Sequence, residues 1–165
     1  MFTLPLIQEE DIFKLDDLLG DLSEKCEATS ILLVDKGGFV ITKVGLTDQF
    51  DATTLGALGS ASFASTEAMA NLVNETNFTS ICQQGDHYSL LVHNVDEQCL
   101  LMVIFKASIS VGMVKYYSTT TIRQIAALMI SIRERAPGEG LDLSLLNLPD
   151  PSQVFKRKIP PPTSK

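Results

Sequence analysis

The chain has 165 residues, 45% of them apolar and 20% charged, with a net charge of −7. That is enough chain for one ordinary domain with a real core, and too apolar for a disordered segment. No apolar run approaches the roughly 18 residues needed to span a bilayer, and an acidic body without a basic stripe argues against nucleic acid as a partner.

The first segment, residues 8–27, reads as an amphipathic helix. Ile12, Leu15, Leu18, Leu19, Leu22 and Cys26 recur at three- and four-residue spacing, with acids crowding the first turn where the helix dipole favours them. The N-terminus shows no basic region before its apolar patch and no small-residue cleavage site. The expectation is therefore a protein without a signal peptide, resident in the cytoplasm. Three cysteines (Cys26, Cys82, Cys99), none in C-x-x-C spacing, fit a reducing compartment. On that reading the sequons at Asn74 and Asn77 are chance matches.

Residues 30–34 form a short apolar strand, Asp35-Lys36-Gly37-Gly38 a tight turn, and residues 39–44 a returning strand. After Gly45 a polar loop leads to a second helix over 53–75, with Asp51 or Thr53 as its candidate N-cap. Strands are expected at 78–83, 88–95 and 100–105, joined by turns at Gly85-Asp86 and Asp96-Glu97. A last helix spans 108–135, with Val114, Tyr117, Thr121, Ile125, Met129 and Ile132 on one stripe, and Pro137-Gly138 stops it. The short turns make neighbouring strands antiparallel, giving an α+β sheet with helices on both faces. Residues 1–136 are read as the domain. Residues 137–165, rich in proline, glycine and serine, are read as a flexible tail carrying an LDLSLLNL segment and a KRK run whose simplest role is solvation.

The second helix is unusual. TTLGALGSASFASTEAMANLVNE holds two glycines, five alanines and three serines, and before Glu75 its only charge is Glu67. On a wheel of about 100° per residue, Leu55, Leu58, Ser62, Met69, Leu72 and Val73 gather on one side, expected to press on the sheet. The opposite side holds Ala57, Ser60, Ala61, Ala64, Glu67, Ala68 and Asn71. Gly56 and Gly59 each cost about 1 kcal/mol of helix propensity against alanine. A domain this small has little chain with which to wrap such a helix completely. A flat, small, nearly uncharged side lets another backbone come close, so it is expected to be covered by a second subunit or a partner.

Candidate chemistry is thin. There is no G-x-x-x-x-G-K-[ST] phosphate loop. Cys82 and His87 flank one hairpin without a third ligand or an orienting acid, and Asp35 and Asp96 are turn formers first. No cofactor, metal or catalytic residue is nominated. Arg123, Arg133 and Arg135 lie on the last helix and Arg157 in the tail, so no arginine of the kind that stabilises phosphoryl transfer lies on the small-residue side.

ILLVDKGGFVI with its glycine turn, the small-residue helix, VDEQCLLMVIF and the following SVGMVK together resemble the roadblock family of dynein light chains, in that order over about residues 8–135. The likeness is greatest to the family's bacterial cell-polarity members. It implies a roadblock-like (profilin-like) five-stranded antiparallel sheet, the central helix on one face and the terminal helices on the other. It implies a homodimer with central helices side by side and the following strand extending the sheet across the dimer axis. It further implies that Ala57, Ser60, Ala61, Ala64, Glu67, Ala68 and Asn71 form the platform for a small Ras-like GTPase. GTP hydrolysis by that partner would be promoted by ordering its own catalytic residues. A scaffold subunit without effect on hydrolysis is the alternative. A small-ligand sensor is a third possibility, which would need an apolar cavity with convergent polar groups.

Overall fold

The computed structural model describes residues 6–135; the tail with its LDLSLLNL and KRK segments, and Arg157, lie outside the described residues. The elements in chain order are α1 (Glu9–Cys26), β1 (Ser30–Asp35), β2 (Val40–Gly45), a 3-10 turn (Thr47–Gln49), α2 (Ala52–Leu72), β3 (Ser80–Gln84), β4 (Tyr88–Asn94), β5 (Cys99–Lys106) and α3 (Val111–Arg135). The strands form one antiparallel sheet in the order β2-β1-β5-β4-β3, so β2 and β3 are its edges. Boundaries agree with the sequence reading to within three residues. The 3-10 turn has no counterpart in that reading.

β1 and β5 are central strands buried on both faces, which is why they read as unbroken apolar runs rather than alternating ones. Alternate side chains serve two separate cores. Ile31, Leu33, Leu101, Val103 and Phe105 point toward α1 and α3, meeting Leu15, Leu19, Leu22, Val114, Ile125, Met129 and Ile132. Leu32, Val34, Leu100, Met102 and Ile104 point the other way, toward α2 and Phe63.

The stripes expected on α1 and α3 are those that bury, with Ile12, Leu18 and Tyr117 half-buried at the margins. The two helices are tied end to start. Arg135 donates to Asp11 Oδ1 at 2.8 Å and to Gln8 Oε1 at 3.2 Å, while Asp11 Oδ2 accepts the Gln8 amide at 3.0 Å. Burial works against the charge of Asp11, but Arg135 and the Gln8 amide outweigh it and hold the carboxyl below its ordinary value.

Asp51 is the N-cap of α2, its Oδ1 accepting from the Thr54 amide at 3.1 Å. The helix ends at Leu72, and Asn74 adopts a left-handed φ of 58°.

Candidate functional site

α2 lies on its own face of the sheet, and the structure corrects which side of it faces inward. Its buried residues are Ala52, Gly56, Gly59, Ser60, Phe63, Thr66 and Ala70. The large apolar residues expected beneath it are turned outward: Leu58 is 64% exposed, Met69 53%, Leu72 83% and Val73 64%, with only Leu55 and Ser62 half-buried. The physical reason is close approach. A Cβ on Gly59 would fall 2.3 Å from Met102 Cε, and one on Gly56 would fall 3.1 Å from the Gly38 carbonyl oxygen. The helix settles onto the strands through positions without side chains, and Phe63, with half-buried Leu55 packing at the margin, supplies the inward bulk. A wheel weighted by hydrophobicity seeks the largest residues and so points the wrong way here.

The β1–β2 turn locks against the same helix. Asp35 Oδ1 accepts the Phe39 amide at 2.8 Å, as expected of a turn former. Gly38, at φ +94°, brings its backbone so near that a Cβ there would sit 2.8 Å from Ala57 Cα. Ser60 donates its hydroxyl to the Lys36 carbonyl, and Lys36 Nζ reaches Glu67 Oε1 at 2.8 Å and lies over the Phe63 ring, 5.8 Å from its centroid.

Of the seven residues assigned to the small side, Ala57, Ala61, Ala64, Ala68 and Asn71 are exposed and contiguous on the outer surface of α2. Glu67 is half-buried at their margin in its pair with Lys36. Ser60 is not on that surface; it is buried against the turn. Sequence reasoning missed the exposure of Leu58, Met69, Leu72 and Val73, which continue the same uncharged face. The helix is therefore not wrapped by the described residues of its own chain. Beside it, above the sheet between α2 and the β3–β4 hairpin, runs an open groove of about 350 Å³ walled by Phe50, Leu55, Gln83, Tyr88, Leu90 and Ile104, without a charged residue in its lining. Phe50 meets Tyr88 edge to face at a centroid distance of 5.8 Å.

The remaining candidates are dispersed. Cys82 is half-buried in the edge strand β3, and His87 is exposed in the β3–β4 turn. His93, on β4, shares the α3-facing side with Leu91, and burial together with the charge of Lys115 lowers its pKa to about 4. Burial, reinforced by Asp96, pushes the Cys99 thiol up to about 12, so it is a neutral core side chain. Asp96 Oδ1 caps its own turn, accepting the Gln98 and Cys99 amides at 2.8 Å, and its other oxygen takes Arg133. Among the described residues no group of three His, Cys, Asp or Glu side chains could hold a metal ion, and no helix is long and apolar enough to cross a membrane. What α2 presents to solvent is a contiguous, nearly uncharged face of small and apolar side chains.

Comparison with solved structures bears on which proteins share this arrangement. MglB of Myxococcus xanthus is 27% identical, with 78% of this chain and 96% of that one covered, at a TM-score of 0.73. The gliding protein MglB of Thermus thermophilus is 22% identical over 79% of this chain and 99% of that one, also at 0.73. A Roadblock/LC7 domain from Streptomyces avermitilis is 18% identical over 70% and 97%, at 0.64, a likeness of fold. No match is found among curated proteins. The Roadblock/LC7 domain model matches residues 14–105, from the second turn of α1 to the end of β5, and the chain belongs to that family.

Proposed function

We propose that this roadblock-type protein is a non-enzymatic regulator of a small Ras-like GTPase. It acts as a homodimer whose paired α2 helices receive the GTP-loaded partner and promote hydrolysis by ordering the partner's own catalytic residues. The observation that carries this reading is the outward face of α2: exposed, contiguous and almost free of charge in a chain of net charge −7. Ala57, Ala61, Ala64, Ala68 and Asn71 form its contact surface and Glu67 its edge, while Ser60 supports it from beneath by holding the β1–β2 turn. The choice of a GTPase as the partner rests on what the roadblock resemblance implies, and membership of the Roadblock/LC7 family is in keeping with it.

Arginine placement shapes the mechanism. Arg133 and Arg135 are engaged with Asp96 and Asp11, and Arg123 lies on α3, across the sheet from the platform. Stimulation in this reading comes from shaping the partner's switch segments rather than from an inserted guanidinium.

The test is GTP turnover by a cognate small GTPase with and without this protein, using Ala64→Arg as the control. Wild type is expected to raise the rate. Ala64→Arg is expected to bind no partner, because a long charged side chain would stand on a flat contact face. Binding by wild type with no change in turnover would replace the regulator with a scaffold. Undiminished binding by Ala64→Arg would remove the platform.

A further inference from the structure

We infer that residues 141–148 of this chain, LDLSLLNL, close over the outer face of α2 and compete there with the partner. The inference rests on the docking surface of the preceding reading and adds to it a regulator carried by the same chain.

The first observation is where α3 ends. In its last turn Arg133 pairs with Asp96 of the β4–β5 turn. The Gln98 carbonyl of that turn accepts the Lys36 amide at 2.8 Å, and Lys36 Nζ reaches Glu67 on α2 at 2.8 Å. These contacts run round one end of the sheet, from the exit of α3 to the edge of the α2 face. The chain beyond Arg135 therefore starts at the end of the sheet from which that face is reached. Residues 136–140 separate Arg135 from Leu141. Their extended reach is about 20 Å, comparable with the two steps of about 10 Å between helix, sheet and helix layers.

The second is complementary shape. Leu141, Leu145 and Leu148 recur at i, i+4 and i+7, the spacing with which an amphipathic helix lays one apolar stripe on a surface. Exposed Ala57, Ala61, Ala64 and Ala68 recur at the same intervals on α2, with Leu58 and Leu72, 64% and 83% exposed, beside them. Large side chains on one element and small ones on the other let two backbones come close.

The third is charge. The segment carries one charge, Asp142. α1, the other helix beside the exit, turns Glu9, Glu10, Asp17, Asp21 and Glu24 to solvent and repels it. On α2 the acid bordering the face is Glu67, whose charge Lys36 already meets. Because segment and face belong to one chain, the effective concentration is on the order of millimolar, so a weak contact closes the face and a partner can still displace it.

Thiol labelling tests the contact in the full chain. Ala64→Cys is made with Cys82→Ser, since Cys26 and Cys99 are buried, and is alkylated by a small maleimide with and without Leu145→Asp and Leu148→Asp. The two aspartates are expected to speed labelling about fivefold, by the same factor after tenfold dilution. In the native-cysteine chain they are expected to tighten binding of the GTP-loaded GTPase by about the same factor, since a closed face lowers apparent affinity by the fraction open. Unchanged labelling would overturn the inference and leave the docking surface standing. Acceleration that vanishes on dilution would place the segment on a second copy and overturn it too. Weaker GTPase binding by the aspartate variant would mean that the segment contacts the partner instead, against the inference. Faster labelling with no GTPase binding by either chain would leave the contact standing and remove the GTPase reading.

Discussion

On one face of the sheet α1 and α3 set whole leucine, isoleucine and methionine side chains into contact with Leu33, Leu101 and Phe105; on the other, α2 approaches through Gly56 and Gly59 and leaves Leu58, Met69 and Leu72 outside. The first face is finished within the chain, because two helices share the work of covering it. The second has one helix, which comes close enough to seal Leu32, Val34 and Met102 only by giving up side chains, and whose own apolar bulk is left for something else to cover. The difference separates a face closed within the chain from the one proposed above as the docking surface, and substitutions can measure it.

The largest effect is expected where side chains fill the sealed face. Leu19 is completely buried among both terminal helices and the sheet, so Leu19→Ala leaves a cavity and is expected to cost about 3 kcal/mol in urea unfolding. The same truncation at Leu58, 64% exposed on α2, is expected to change the stability of the isolated chain by less than about 0.5 kcal/mol. Comparable losses at the two sites would mean that α2 is held by its large residues after all.

Next in size is a pH effect confined to the sealed face. His93 has a folded pKa of about 4, below the ordinary 6.5, because burial and Lys115 disfavour its charged form. As pH falls below 6.5 the unfolded chain takes up the proton before the folded one does. The stability contributed by the neutral ring is thus complete above pH 6.5 and is lost progressively toward pH 4, by about 3 kcal/mol over the window. Urea midpoints measured across that range should fall for wild type and should flatten for His93→Gln. Asp11, held below its ordinary value, would weaken only at still lower pH, so the two contributions separate.

A smaller effect tests the close approach of α2. Gly59→Ala gains about 1 kcal/mol of helix propensity, yet the new Cβ meets Met102 Cε and Sδ at 2.3 and 2.8 Å in a filled core. The expected balance is a net loss of about 1 kcal/mol, with Met102→Val as a second substitution restoring part of it. A gain from Gly59→Ala alone would show that the methionine end turns aside freely, and that the glycine is not what brings the helix down.

How much of this was legible in the sequence follows the same division. Where a helix buries by filling space, as with Leu15, Leu19 and Leu22 on α1 or Val114, Ile125 and Met129 on α3, apolar periodicity reports the buried side directly. The strand order along the chain, the turn roles of Asp35 and Asp96 and the cap at Asp51 were legible because each rests on local backbone chemistry. α2 was misread in orientation, since glycine, alanine and serine carry the contact and contribute almost nothing to a hydrophobic wheel. Gly56 and Gly59 were the available signal: two costly residues three apart mark the line of closest approach, not the outer surface. The burial of Asp11 and of His93 was not legible, because one depends on a partner more than a hundred residues away and the other on a neighbouring helix. Nothing local announces either.

The smallest effect concerns Glu67, at the margin between the sealed side of α2 and the proposed docking surface. Its carboxylate takes Lys36 at 2.8 Å and so ties the β1–β2 turn to α2, but it is more than a third exposed, and an ion pair so placed is worth about 0.5 kcal/mol and is screened by salt. A double-mutant cycle of Lys36→Met and Glu67→Gln should return a coupling of that order at low salt and almost none at high salt. The Lys36 stem over Phe63 makes Met a closer match than Ala for keeping the packing. If the pair serves mainly to hold Glu67 at the edge of the docking surface, Glu67→Gln should leave the fold and the dimer unchanged while weakening partner binding less than Ala64→Arg does. A coupling of several kcal/mol would instead make the pair a structural tie, and Glu67 part of the frame rather than of the surface.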